Sequence, residues 1–114
     1  MTDLLQLADA RRRRRIVAFD RRELGRLLDL YSRRVAAGEW RDYAIDFRPG
    51  MTIFSVFRHT AEQPLYAIAK TAANGQRSGD YMVISGRQKL GQGRTIEDVL
   101  DVLERQLRVV SKRN

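Results

Sequence analysis

The stretch Ala36-Ala37-Gly38-Glu39-Trp40-Arg41-Asp42-Tyr43-Ala44-Ile45-Asp46 decides how the rest of the chain is read. Upstream of it, Leu24, Leu27, Leu28, Tyr31 and Val35 recur at i, i+3, i+4, i+7 and i+11, the spacing of a helix with one apolar stripe. Downstream, Tyr43, Ile45 and Phe47 alternate with Ala44, Asp46 and Arg48, the spacing of a strand with one wet face. Gly38 stands where a helix hands over to the next segment, because a residue without a Cβ enters the left-handed region cheaply. Trp40, the single tryptophan, follows at once and is placed to seal the seam between helix and sheet.

Working outward, Asp20 and Glu23 form the reciprocal pattern of a capping box and set the start of the first helix. Ile16-Val17-Ala18-Phe19 before it reads as a short edge strand. Pro49-Gly50 supplies the centre of a turn, and Met51 to Thr60 continues as a strand with apolar residues on both faces, the mark of a central strand. Leu65 to Thr71 and Tyr81 to Ser85 read as further strands, separated by the turn-rich Asn74-Gly75-Gln76-Arg77-Ser78-Gly79. Gly86 to Gly93 has room for a last hairpin arm. Thr95 caps a closing helix whose stripe is Ile96, Val99, Leu100, Leu103, Leu107 and Val110. The order predicts an α+β fold: an N-terminal helix, an antiparallel sheet of three to five strands and a C-terminal helix, with both helices on one face of the sheet. Its other face is expected to show some of Phe54, Val56, Tyr66 and Ile68 or their neighbours.

The chain has 114 residues, enough for one modest core, so residues 16–114 are read as a single domain. Residues 1–15 read as a basic, mobile segment, with a short helix after Thr2 as the alternative. No apolar run approaches the roughly 18–20 residues that span a bilayer, and the arginines follow the Leu4-Leu5-Gln6-Leu7-Ala8 run instead of preceding it. Neither membrane insertion nor export is expected, and the location is expected to be cytoplasmic. There is no cysteine and His59 is the lone histidine, so neither a metal nor a cofactor is expected.

Phe19-Asp20-Arg21-Arg22-Glu23-Leu24, Tyr31 and the string from Val35 to Asp46 resemble a small bacterial family, mainly alphaproteobacterial, catalogued as the domain of unknown function DUF2794. Phe54-Ser55-Val56-Phe57-Arg58 and Pro64-Leu65-Tyr66 fit the same pattern. The resemblance implies no activity and no catalytic residue, since none is assigned to the family.

The residues themselves suggest two kinds of partner. The net charge is +8, and much of it sits in the uninterrupted run Arg11, Arg12, Arg13, Arg14, Arg15. Guanidinium forks in such a run can hold several phosphates, and Arg21, Arg22 and Arg26 on the next helix can extend the patch. A solvated tail is the plainer reading of the same run. The aromatic residues Trp40, Tyr43, Phe54 and Tyr66 are the candidate contacts for a protein partner or a second copy of the chain. A non-enzymatic protein-interaction module is the leading expectation, and a nucleic-acid-associated regulator is the alternative.

Catalytic readings are weaker. Ser55 and His59 lie about 13 Å apart along a strand, too far for a nucleophile and its base. Glu39, Asp42 and Asp46 beside Arg41 read as salt bridges bracing the junction. Gly91-Gln92-Gly93-Arg94-Thr95 precedes a helix as a phosphate cradle does, but glutamine replaces the required lysine, and Glu97 and Asp98 would repel an anion. The same acids argue against a double-stranded RNA-binding domain, which needs lysines there.

Overall fold

The computed structural model describes residues 17–59, 63–72 and 80–112. Helix α1 (Arg21–Ala36) leads into strands β1 (Asp42–Arg48), β2 (Met51–Phe57), β3 (Tyr66–Thr71), β4 (Tyr81–Ser85) and β5 (Gln88–Gly93), and helix α2 (Ile96–Lys112) closes the chain. All five strands form one antiparallel sheet in chain order, β1-β2-β3-β4-β5. The segment 1–15 and the loop 74–79 lie outside the described residues, as does the side chain of Val110.

Both ends of α1 are closed as their residues dictate. The Asp20 carboxylate accepts the Glu23 N–H at 2.8 Å, and the Glu23 carboxylate accepts the Asp20 N–H at 2.8 Å. Two of the helix's orphan donors are thereby met. At the other end Gly38 has φ +77°, its N–H donating to the Val35 carbonyl while the Glu39 N–H reaches back to Arg34. That pair of bonds is a Schellman closure, and it turns the chain so that Trp40 enters the core at 3% exposure.

The strand register assigns each side chain to a face. Ile45 pairs with Phe54, Phe54 with Ile68, and Ile68 with Val83, so these point to the same side. That side also carries Tyr43, Val56, Tyr66, Lys70 and Tyr81, and both helices cover it. Leu27 and Leu30 of α1 and Ile96, Val99, Leu100, Leu103 and Leu107 of α2 join Phe54, Val56, Ile68 and Val83 in one core. Fully burying each such aliphatic or aromatic side chain stabilises the fold by about 1.5–3 kcal/mol.

Two glycines let α2 lie close on the sheet. A Cβ on Gly91 would fall 2.8 Å from both methyls of Val102, and one on Gly93 would fall 2.3 Å from Asp98 Cβ. The register slips between Val83 and Ile84, leaving Leu90 as an extra residue of β5 that packs against the core. A bulge redirects a side chain in this way.

Several expectations are corrected. Val17-Ala18-Phe19 form no strand. Val17 is buried and the Ala18 carbonyl is taken up by Lys70 Nζ at 2.9 Å, so a side chain replaces ladder pairing. The buried stripe of α1 is centred on Glu23, Leu27 and Leu30, whereas Val35 is 41% exposed. The buried carboxylate of Glu23 carries no apolar signal, so the apolar pattern places the stripe to one side of its true centre. Phe54, Val56, Tyr66 and Ile68 lie on the helix-covered face, not the opposite one. The central-strand reading of the Met51 run holds, since β2 is paired on both sides, by β1 and β3.

Candidate functional site

Three places bring chemistry-bearing residues together. The first is the aromatic run. Tyr31 meets Tyr43 edge-on at 4.9 Å and Trp40 at 6.3 Å, Trp40 lies 6.4 Å from Tyr66, and Tyr43 stacks on Phe54 at 5.3 Å. Trp40 and Phe54 are buried in the core, so these two candidate contacts cannot meet a partner. Tyr43 is 39% exposed at the β1 edge, and Tyr66 is half-buried. The gap among Leu27, Trp40, Phe54 and Leu103 measures about 10 Å³, which leaves no chamber for a ligand. Aromatic contact here fastens α1 to the sheet.

The second place is Glu23. Its carboxylate is almost fully buried, yet Oε1 accepts from Lys70 Nζ at 2.6 Å as well as from the Asp20 N–H, and Oε2 accepts from the Tyr81 hydroxyl. Lys70 Nζ also lies 5.8 Å from the centre of the Tyr81 ring. An acid, a lysine and a tyrosine in contact are a familiar catalytic set, but here each donor is spent on the carboxylate. Among the described residues no buried side-chain polar atom lacks a partner. The cluster ties the start of α1 to β3 and β4.

Burial first, and then the bond to Glu23, push the Tyr81 hydroxyl well above its usual pKa. A raised folded pKa means that Tyr81 contributes its full stability below the unfolded value of about 10 and loses it as the pH rises further. Burial also raises Tyr31 and Tyr66. Urea midpoints are therefore expected to hold level up to about pH 10 and fall above it, with Tyr81→Phe flattening that decline.

The third place is the sheet face turned away from α1 and α2. Met51, Ile53, Ser55 and Phe57 of β2, Ala67, Ala69 and Thr71 of β3, and Met82 and Ile84 of β4 share it, by the register that sets their neighbours inward. This answers the two-sided apolarity of the Met51–Phe57 run: its second apolar side is the one turned away from α1 and α2. Beside this centre both edge strands carry charge. Asp42, Asp46 and Arg48 lie along β1, and Lys89 lies along β5 opposite Ile84. At one end an open hollow of about 280 Å³ is lined by Gln63, Pro64, Ala67, Ile84, Gly86 and Arg87. Sequence reasoning named none of these as a site. The signal was there in the alternation of Ala67, Ala69 with Ile68, Lys70, which puts small residues outward.

The basic residues are not gathered into one patch. Arg11 to Arg15 fall outside the described residues. Arg22 is paired with Glu97, with one contact at 3.0 Å, Arg33 with Asp29 and Glu104, and Arg34 with Glu39. Arg21 and Arg26 are exposed and have no ion pair among the described residues. Glu39 is braced by Arg34 and not by Arg41. Ser55 is buried on the face turned away from α1 and α2, while His59 is exposed beyond the end of β2. The cradle before α2 is filled by the protein itself: Asp98 Oδ2 accepts the N–H groups of Arg94 and Thr95 at 3.0 and 3.2 Å. Among the described residues no group of three His, Asp or Glu side chains is placed to hold a metal, and no helix is long and apolar enough to cross a membrane.

The architecture is that of an α+β protein, a five-stranded antiparallel meander with a helix before it and a helix after it on one face. The family described as Protein of unknown function (DUF2794) matches over residues 17–100, and the chain belongs to it. No curated protein and no solved structure matches the chain.

Proposed function

We propose that the protein is a cytoplasmic, non-enzymatic interaction module that presents the sheet face turned away from α1 and α2 to another protein surface, its own copy included. The observation that supports this most is the row of apolar and small residues from Ile53 and Phe57 to Met82 and Ile84, lying on the face turned away from α1 and α2. A contiguous apolar patch rimmed by charge is how a protein surface meets another protein. The test places a photo-crosslinking residue at Met82 in intact cells and compares it with one at Asp101, exposed on α2. Protein adducts are expected at Met82 well above those at Asp101. Equal yields at both positions would remove the reading.

A second reading, electrostatic contact with a nucleic acid, is favoured by Arg21 and Arg26, which stand free of ion pairs among the described residues. It predicts that affinity for duplex DNA falls with salt at a log–log slope of about −4, as for four or five neutralised phosphates. Replacing Arg11 to Arg15 by serine should abolish that slope. Weak binding unaffected by the replacement would count against any phosphate contact.

A further inference from the structure

We infer that β1 is a docking edge whose partner is a second copy of this chain, with β1 pairing antiparallel to β1 about a two-fold axis through Ile45. The two sheets then join edge to edge into one. This surface is separate from the sheet face invoked above, so the inference goes beyond that reading and is tested apart from it.

The backbone decides what the edge offers. The Ala72 N–H donates to the Gly50 carbonyl at 2.9 Å, one step beyond the pair Met51 and Thr71. Even-numbered residues of β2 therefore turn their backbone groups to β3, and odd-numbered ones turn theirs to β1. There Met51, Ile53, Ser55 and Phe57 pair with Arg48, Asp46, Ala44 and Asp42. The N–H and C=O groups of Tyr43, Ile45 and Phe47 are left to face outward. Accordingly the Tyr43 N–H donates to its neighbour Asp42 Oδ1 at 2.8 Å, while those of Ile45 and Phe47 have no partner among the described residues. An edge kept single carries proline, lysine or an inward charge, and β1 has none of these between Tyr43 and Phe47. The other edge, β5, is interrupted by the slip between Val83 and Ile84 and lies close under α2.

Residue types then choose the occupant and the register. With Ile45 opposite Ile45, Tyr43 meets Phe47 on both sides of the axis, and all these residues exchange both backbone bonds. A shift of two residues one way sets Pro49, which has no N–H, opposite Tyr43. The opposite shift brings up Arg41, whose N–H already donates to the Phe57 carbonyl. Charge agrees when every charge on the outward side of β1 is counted: Asp42, Asp46 and Arg48. The symmetric register sets Asp42 opposite Arg48 twice and Asp46 opposite Ala44. Each shifted register sets acid opposite acid, Asp42 against Asp46 in one and Asp46 against Asp46 in the other. In the symmetric register Asp46 meets acids of the other copy only on the diagonal, about 7–8 Å away, which keeps the association reversible. A strand whose two halves complement each other in this way is what an isologous two-fold contact requires.

The side chains on the helix side continue the pattern. Phe47 is the most exposed large apolar side chain among the described residues, at 62%. Pairing sets it beside Tyr43 of the other copy, which already stacks on Phe54 and meets Tyr31. The aromatic row of one molecule thus runs through the seam into the next.

The experiment is sedimentation velocity on the full chain, from low micromolar to several hundred micromolar, with circular dichroism confirming that each variant is folded. The wild type is expected to form a reversible dimer. Phe47→Pro removes an outward N–H and no bond to β2, so it is expected to fold and remain a monomer. Asp42→Arg alone and Arg48→Asp alone each set like charges opposite and are expected to weaken dimerisation by roughly tenfold. An equal mixture of the two sets opposite charges at both places and is expected to restore it. A wild type that stays a monomer overturns the inference, including one in which residues 1–16 take the edge. A dimer that a folded Phe47→Pro leaves intact, or that neither charge variant weakens, overturns it too. Crosslinking at Met82 reads the other face, so either result leaves the interaction-module reading to its own test.

Discussion

Glu23→Ala is expected to lower the stability of the fold by about 3–5 kcal/mol, read as a shift in the urea unfolding midpoint. The carboxylate is buried and receives the Lys70 ammonium, the Tyr81 hydroxyl and the Asp20 N–H. Removing it takes the shared acceptor from three donors, and leaves the Lys70 ammonium, only 19% exposed, with the Ala18 carbonyl but without its counter-charge. An uncompensated buried cation costs more than the ion pair itself contributed. A double variant makes the argument sharper. Glu23→Leu with Lys70→Met removes both charges and restores apolar volume, so it should lose less than Glu23→Ala alone. If the double variant instead loses the sum of the two single changes, the donors do not depend on one another and the account of the cluster fails.

Gly93→Ala should cost about 2–4 kcal/mol, combining overpacking of ~1–3 with a lost cap of ~1. The new Cβ would meet Asp98 Cβ at 2.3 Å, and that atom is fixed by the helix backbone. Relief requires α2 to lift from β5, which withdraws the Asp98 carboxylate from the Arg94 and Thr95 N–H groups. Gly91→Ala is a useful contrast, because its clash is with the Val102 methyls. Val102→Ala should rescue Gly91→Ala and should do nothing for Gly93→Ala. Thermal unfolding of the four variants checks both statements.

Much of the fold is legible in the sequence. Asp20, Glu23, Gly38, Pro49-Gly50 and Thr95 act locally, through caps and turns whose chemistry needs no distant partner. The same holds for the stripe Ile96, Val99, Leu100, Leu103, Leu107. The candidate site was much less legible. Trp40 and Phe54 read as contacts because large aromatics are common at interfaces, but they are equally common in cores, and only the register tells one face from the other. Glu23 was seen as half of a capping box, while its bonds to Lys70 and Tyr81 span 47 and 58 residues. The apolar back of β2 was noticed and misassigned, since the face under the helices and the face turned away from them have the same composition.

The chain-order meander also bears on how the molecule assembles in time. Each ladder joins strands adjacent in sequence, so no hairpin waits on a distant segment and loop closure costs little. Fastening α1 across the sheet through Glu23 is the long-range step, and it can follow once β3 and β4 are paired. Loss of Glu23 is therefore expected to quicken unfolding by about 10²–10⁴-fold while leaving the refolding rate nearly unchanged. The first helix made would then be the last one fixed in place.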